Sequence, residues 1–256
     1  MNSQNHPAPN VKFLFKDESP QIPIWKRAID ITCCLIALPV LCSITVFMAI
    51  LLRLTSRGPI LFKQERIGYK GSRFMCYKFR TMAVGADTRS HQAYLDNLVG
   101  SRAPMMKLDS KGDNRLIAGG WILRATGLDE LPQVINILKG EMSVVGPRPC
   151  IQYEYEKYEP RQRERFNAVP GLTGLWQVSG KNRTTFEEMI DLDIRYSKTC
   201  SFWLDVRIIL MTVPVLVMQV SETRKARNSR ARYSTTTINT LSADTGAKRS
   251  PQPITS

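Results

Sequence analysis

The chain has 256 residues, 43% of them apolar, enough for one domain with a hydrophobic core plus appendages and too many for wholesale disorder. Its 36 Lys/Arg outnumber 22 Asp/Glu, giving a net charge of +14 that points to an anionic partner: nucleic acid, an acidic membrane face or phosphorylated substrates. The two histidines, His6 and His91, argue against a histidine-rich zinc site and a Ser-His-Asp triad, and a single long apolar run excludes a many-spanning transporter.

Residues 1–24 are polar and hold Pro7, Pro9, Pro20 and Pro23, which reads as a flexible arm with no basic segment or cleavage site of a signal peptide. A membrane-embedded segment over 25–54 follows. Within it, Ile31 to Leu52 carry no charge over 22 positions, long enough to cross a hydrocarbon core. Lys26 and Arg27 precede it and Arg53 and Arg57 follow it, so the positive-inside rule selects no orientation. Pro39, near the middle, removes a backbone donor and predicts a kink. Three arrangements remain open on these residues: a kinked span, a hairpin that enters and leaves on the cytosolic side, and a buried soluble helix. Cys33, Cys34 and Cys42 lie in this run, Cys76, Cys150 and Cys200 are scattered, and no C-x-x-C pair occurs, so all read as reduced thiols.

A globular catalytic domain is expected over 55–220. Residues 59–68 and 73–82 read as two short strands joined by the Gly68–Ser72 turn, and residues 86–98 as a helix. Leu131, Val134, Ile135 and Leu138 fall at i, i+3, i+4, i+7, an amphipathic helix with Pro132 in its first turn and Gly140 at its end. Residues 151–166 and 184–199 read as helices, Pro170–Gly174 as a turn and Leu175–Val178 as a short strand. Phe202 to Val220 is apolar but broken by Asp205, Arg207 and Pro214. Its uncharged part, Ile208 to Val220, has 13 residues, which predicts an interfacial rather than a spanning helix. Residues 221–256, with seven Lys/Arg, two acids and thirteen Ser/Thr, read as a disordered basic tail.

Asp129 and Glu130 stand at the start of the amphipathic helix, where the field of the N-terminus favours anions. As neighbours they point roughly 100° apart, so they suit two jobs, a nucleophile and a cation ligand, rather than a facing acid/base pair. Their simplest reading is as helix-start acids. Arg124 lies five residues before Asp129, Arg148 is stiffened between Pro147 and Pro149, and Lys78 and Arg80 end the second strand. Basic groups around two carboxylates fit phosphoryl transfer with a metal ion. No Walker loop and no nucleic-acid motif occurs.

Four stretches carry a resemblance: Lys78-Phe-Arg-Thr-Met82, Leu128-Asp-Glu-Leu-Pro-Gln133, Lys139-Gly-Glu-Met-Ser-Val-Val-Gly-Pro-Arg-Pro149 and Pro170-Gly-Leu-Thr-Gly-Leu-Trp-Gln-Val-Ser-Gly180. From about Trp25 to Val220 the chain resembles the bacterial sugar transferases, monotopic phosphoglycosyl transferases that start exopolysaccharide and O-antigen synthesis. The resemblance implies an α+β fold: an N-terminal re-entrant membrane helix hairpin and a small globular α/β catalytic domain with interfacial helices. It implies transfer of a sugar-1-phosphate from a UDP-sugar to undecaprenyl phosphate with release of UMP, through an aspartyl phosphosugar. Asp129 would be the nucleophile and Glu130 the ligand of Mg²⁺, with Lys78, Arg80, Arg124, Gln133 and Arg148 binding substrate phosphates. Pro39 would be the membrane kink. The implied location is the bacterial inner (cytoplasmic) membrane, with the active site on the cytosolic face. The implied partners are membrane lipids and downstream glycosyltransferases, with no nucleic acid. The chain departs from the family pattern at Leu38, where the family carries serine, and at Ile117 and Trp121, where it carries threonine and a basic residue. The rivals are a non-catalytic membrane regulator and, on charge alone, a nucleic-acid binder.

Overall fold

The computed structural model describes residues 20–55, 58–83, 89–98, 101, 103–105, 115–117, 119–180 and 183–247. The expected arm, apart from residues 20–24, lies outside these residues. The fold mixes helix and strand, as predicted: an apolar N-terminal helix, a small body of short helices and two small sheets, and a long C-terminal helix.

Helix α1 (Ile24–Thr55) contains the uncharged run and holds Pro39 inside a single helical element of 32 residues, with no division into two helices. After the proline, Ser43 Oγ donates to the Pro39 carbonyl at 3.0 Å and Thr45 Oγ1 to the Leu41 carbonyl at 2.7 Å, so hydroxyls support this part of the helix although Leu38 precedes the proline. One face of α1 buries Cys34, Met48 and Leu52, while Leu35, Ile36, Val40, Phe47, Ile50 and Leu54 stay exposed. Cys34 packs with Phe74, Cys76, Val134, Ile137 and Met142, and Met48 and Leu52 pack with Phe79 and Leu123, so both halves of α1 lie against the same body.

Strands β1 (Leu61–Ile67) and β2 (Arg73–Phe79) form the expected antiparallel hairpin, with Leu61 opposite Phe79 and Ile67 opposite Arg73. Gly71 closes it at φ +83°, a conformation glycine takes without penalty. Pairing continues past β2: Ile117 N–H donates to Thr81 O at 3.0 Å and Ala83 N–H to Arg115 O at 2.8 Å, which fixes the Lys78–Met82 segment from both sides. Helix α2 (Arg89–Leu98) lies within the helix predicted for 86–98.

Helix α3 (Gly120–Thr126) ends at Gly127, and a 3-10 turn over Leu128–Gln133 runs directly into α4 (Val134–Lys139). The predicted amphipathic helix is therefore a tight turn followed by a short helix, because Pro132 supplies no N–H for regular α-helical bonding. Gly140 ends it in the left-handed conformation as expected, at φ +80°.

Beyond it stand β3 (Ser143–Val145), α5 (Gln152–Lys157), β4 (Gly171–Thr173), α6 (Leu175–Val178) and α7 (Phe186–Thr199). The predicted 151–166 helix is interrupted after Lys157 and resumes as a 3-10 turn over Gln162–Asn167, with Pro160 in the break. Two assignments exchange places: Gly171–Thr173 is strand where a turn was predicted, and Leu175–Val178 is helix where a strand was predicted. The strand exists because β3 and β4 pair in parallel, Ser143 with Gly171 and Val145 with Thr173. Their backbones approach so closely that a Cβ on Gly146 would meet Val169 O at 2.1 Å and one on Gly171 would meet Gly146 N at 2.0 Å. Helix α7 begins with a capping box between Thr185 and Glu188.

Helix α8 (Phe202–Ala247) extends well past Val220, across most of the segment whose composition predicted a disordered tail. No proline interrupts residues 215–247. Its first part, Phe202–Lys225, has 24 residues at mean hydropathy 1.7, and Ile24–Leu54 has 31 at 2.7, so both are long and apolar enough to cross a membrane. The count of 13 uncharged residues understated α8 because Asp205 is neutralised inside the protein. Its carboxylate takes Lys26 Nζ at 2.6 Å and Tyr196 Oη at 2.6 Å.

Candidate active site

Strand alternation builds the first wall. Phe74 and Cys76 are buried on the inner face of β2, so Lys78, two positions on, shares that face. Its Nζ lies 2.8 Å from Glu130 Oε1, and both side chains remain partly open to solvent. Arg80 follows in the same alternation, its N–H bonded to Ile60 O at 2.9 Å and its side chain buried.

The second wall is the turn Leu128–Gln133, which packs on β2. Gly127, at φ +73°, lets α3 swing into this turn, and Glu130 N–H closes it on Gly127 O at 3.0 Å. Asp129 is 8% exposed and Gln133 is buried, so the turn presents an enclosed carboxylate beside the more open Glu130. Arg124 sits in the last turn of α3, half-buried, upstream of the pair.

A third stretch, Gly146–Cys150, carries Arg148. Ile67 N–H donates to Cys150 O at 2.8 Å, which zips this segment to the end of β1. Arg165 Nη2 donates to Arg148 O at 2.9 Å and pairs with Asp193, a carboxylate and a guanidinium both buried. Burial pushes the Asp193 carboxyl up to about 6, while the Arg165 charge and hydrogen bond pull it down. The structure joins Lys78 directly to Glu130, above the buried Cys76 thiol on the same strand. Burial pushes that thiol up, and the charges of Lys78, Arg66, Glu130 and Arg148 all reach it.

Sequence reading missed three supports. Arg66 is buried at the end of β1, donating to Gln64 Oε1 at 2.7 Å and to Pro149 O at 3.5 Å; burial first, and then the charge of Arg148, lower its pKa. Asn136 is 0% exposed and ties α4 to β2, donating from Nδ2 to Met75 O at 2.7 Å and accepting from Tyr77 N–H at 3.2 Å. Lys26 donates to Val145 O at 2.8 Å, fixing β3 just before the Arg148 segment. A polar residue flanked by Ile135 and Ile137 was the only available signal for Asn136; the other two depend on distant partners.

Among the described residues no group of three or more Asp, Glu, His or Cys could hold a metal ion as a protein cage. Mg²⁺ commonly takes only one or two carboxylates and completes its shell with water and substrate phosphates. The accessible Glu130 fits that pattern as a single carboxylate ligand.

A family model described as bacterial sugar transferase matches residues 22–219. The galactosyl transferase CpsE of Streptococcus agalactiae is 41% identical over 196 residues, covering 76% of this chain and 42% of that protein. The exopolysaccharide production protein ExoY of Sinorhizobium fredii is 34% identical, covering 76% of this chain and 86% of that protein. The undecaprenyl-phosphate galactose phosphotransferase of Salmonella typhimurium is 34% identical, covering 75% of this chain and 40% of that protein. The chain thus spans well under half of two of these relatives and most of the third. With the matched region running from the start of α1 into α8, the chain belongs to the bacterial sugar transferase family.

Proposed function

We propose that the chain transfers a sugar-1-phosphate from a UDP-sugar to undecaprenyl phosphate at the cytosolic face of the inner membrane, releasing UMP, as a first membrane step of exopolysaccharide synthesis. The observation that carries this reading is the enclosed Asp129 beside an accessible Glu130 that pairs with Lys78. The names of the Salmonella relative and of a Caulobacter UDP-glucose:undecaprenyl-phosphate glucose-1-phosphate transferase support it.

In the first step an Asp129 carboxylate oxygen attacks the phosphorus attached to the sugar. The bond from that phosphorus to the bridging oxygen breaks, and UMP leaves with the electron pair. In the second, an oxygen of the lipid phosphate attacks the aspartyl phosphorus, giving the lipid diphosphosugar and restoring the Asp129 carboxylate. Lys78, Arg80, Arg124, Gln133 and Arg148 hold and orient the phosphates, and an arginine fork matches phosphate oxygens two at a time. Glu130 would hold Mg²⁺, which supplies neutralisation of the diphosphate charge. Enclosure of Asp129 keeps water from the acyl phosphate.

Helix α1 would be about 48 Å long at 1.5 Å per residue, and it touches the globular body near both ends. A perpendicular span would draw Phe79, Leu123 and their polar neighbours into hydrocarbon, so this packing supports an α1 that stays with the body on one face, the monotopic arrangement. The decisive assay is UMP release from a panel of UDP-sugars with undecaprenyl phosphate in vesicles. A chain that releases no UMP from any of them is not this enzyme.

A further inference from the structure

Helices α6, α7 and α8 enclose an open cleft of about 440 Å³ whose lining includes none of the proposed site residues. Leu192, Leu204 and Met211 give it apolar walls, and Ser179, Arg195 and Arg207 give it polar ones. Helical spacing turns it away from the Arg148 segment. Asp193 faces Arg165, and Arg195 lies two positions on, roughly 200° around α7. Asp205 faces Lys26, and Arg207 lies two positions on around α8 in the same way. Both guanidinium-bearing residues are exposed, and among the described residues neither forms an ion pair.

Arg207 is set inside an apolar stripe. Trp203 precedes it by one turn and is 77% exposed, and Leu210 and Met211 follow it by one turn, both exposed. Trp203 stands edge-on to Phe202, and Phe202 edge-on to Trp25, so aromatic rings gather where α1 and α8 begin. Amphipathic rings favour headgroup depth, and arginine buries its stem in apolar surroundings while its guanidinium seeks an anion there. A cleft with two cationic groups above apolar walls is complementary to a phosphate attached to an acyl-bearing glycerol.

We infer that this cleft binds the headgroup phosphate of an anionic membrane phospholipid, with Arg195 and Arg207 holding the phosphate oxygens and Leu204 and Met211 meeting the first acyl methylenes. The inference rests on the membrane reading above and not on the transfer chemistry.

The test uses the full chain reconstituted in phosphatidylcholine vesicles containing a minor fraction of phosphatidylglycerol, with Trp203 kept as the only tryptophan by changing Trp25, Trp121 and Trp176 to Phe. Brominated phosphatidylglycerol should quench Trp203 more than brominated phosphatidylcholine at equal mole fraction. Arg195→Gln and Arg207→Gln should each reduce that preference about fivefold. Should the tryptophan variants fail to fold, native mass spectrometry of the wild-type chain released from the same vesicles reads the same quantity. It should show retained phosphatidylglycerol that the double variant loses. Equal quenching or equal retention of the two lipids would overturn the inference, as would a preference that survives the double variant. Displacement by one equivalent of undecaprenyl phosphate would assign the cleft to the acceptor instead, and displacement by inorganic phosphate would show a simple anion site. Sugar transfer measured in parallel separates the two readings: an inactive chain that still prefers phosphatidylglycerol leaves the lipid site standing.

Discussion

Asp129 and Glu130 are sequence neighbours in one tight turn, yet one is enclosed and the other half-open. This difference is what lets them take separate tasks. Incubation with a UDP-sugar in the absence of lipid acceptor should leave a phosphosugar adduct on Asp129, detected by mass spectrometry. Asp129→Asn should lose both the adduct and turnover, and wild-type turnover in that variant would refute the covalent route. Glu130→Gln should raise the Mg²⁺ concentration needed for activity, or abolish activity, and EDTA should silence the wild type; indifference to EDTA would remove the metal. Cys150 gives a test of the fold around the site. Burial pushes its thiol up to about 12, so almost no thiolate exists at pH 8 and alkylation in the native state should be negligible, becoming rapid on unfolding. The Lys78–Glu130 contact joins two residues that were legible in the sequence, because each lies in a short stretch with a strong pattern. Asn136 and Arg66 were not, because a buried polar side chain is recognised only by the partners that satisfy it.

At the scale of elements, local signals succeeded where one strong cause acted and failed where the outcome depended on a distant strand. The β1/β2 hairpin, the Gly140 stop and α7 follow from alternation, a left-handed glycine and a capping box. Leu175–Val178 did not, since four apolar residues suit helix and strand equally and periodicity cannot choose between them. What decides is β3, which pairs with the preceding Gly171–Thr173 and leaves the next four residues to turn as α6. The elements are then tied by buried ion pairs. Asp193→Asn leaves the Arg165 guanidinium buried without its counter-charge and should cost about 3–5 kcal/mol, read by chemical denaturation. Because Arg165 also fixes the Arg148 carbonyl, the same variant should weaken donor binding even below its melting temperature. An unchanged denaturation midpoint would show that the pair contributes nothing.

For the whole molecule, α1 and α8 begin at one corner, joined by Lys26, Asp205 and Tyr196, and turn exposed apolar faces outward from a body that carries the site. That arrangement suits the one-face seating proposed above. A cysteine placed at Ser3, with native cysteines replaced, should resist an impermeant thiol reagent in intact cells and react after lysis. Labelling before lysis would show a true span and sink the one-face arrangement. Pro39→Ala should favour a straighter α1 and lower activity.

The Lys26–Asp205 bond joins residues 179 positions apart. At about 5–20 residues per second, a ribosome that has released Lys26 needs roughly 10–35 s more to deliver its partner. During that interval the ammonium stands at the edge of an apolar segment without the carboxylate that later neutralises it. The same lysine thus waits through most of synthesis before it acts as the bolt that closes the finished protein. A chain truncated before Asp205 would retain its grip on the bilayer while never drawing β3, and with it the Arg148 segment, into register.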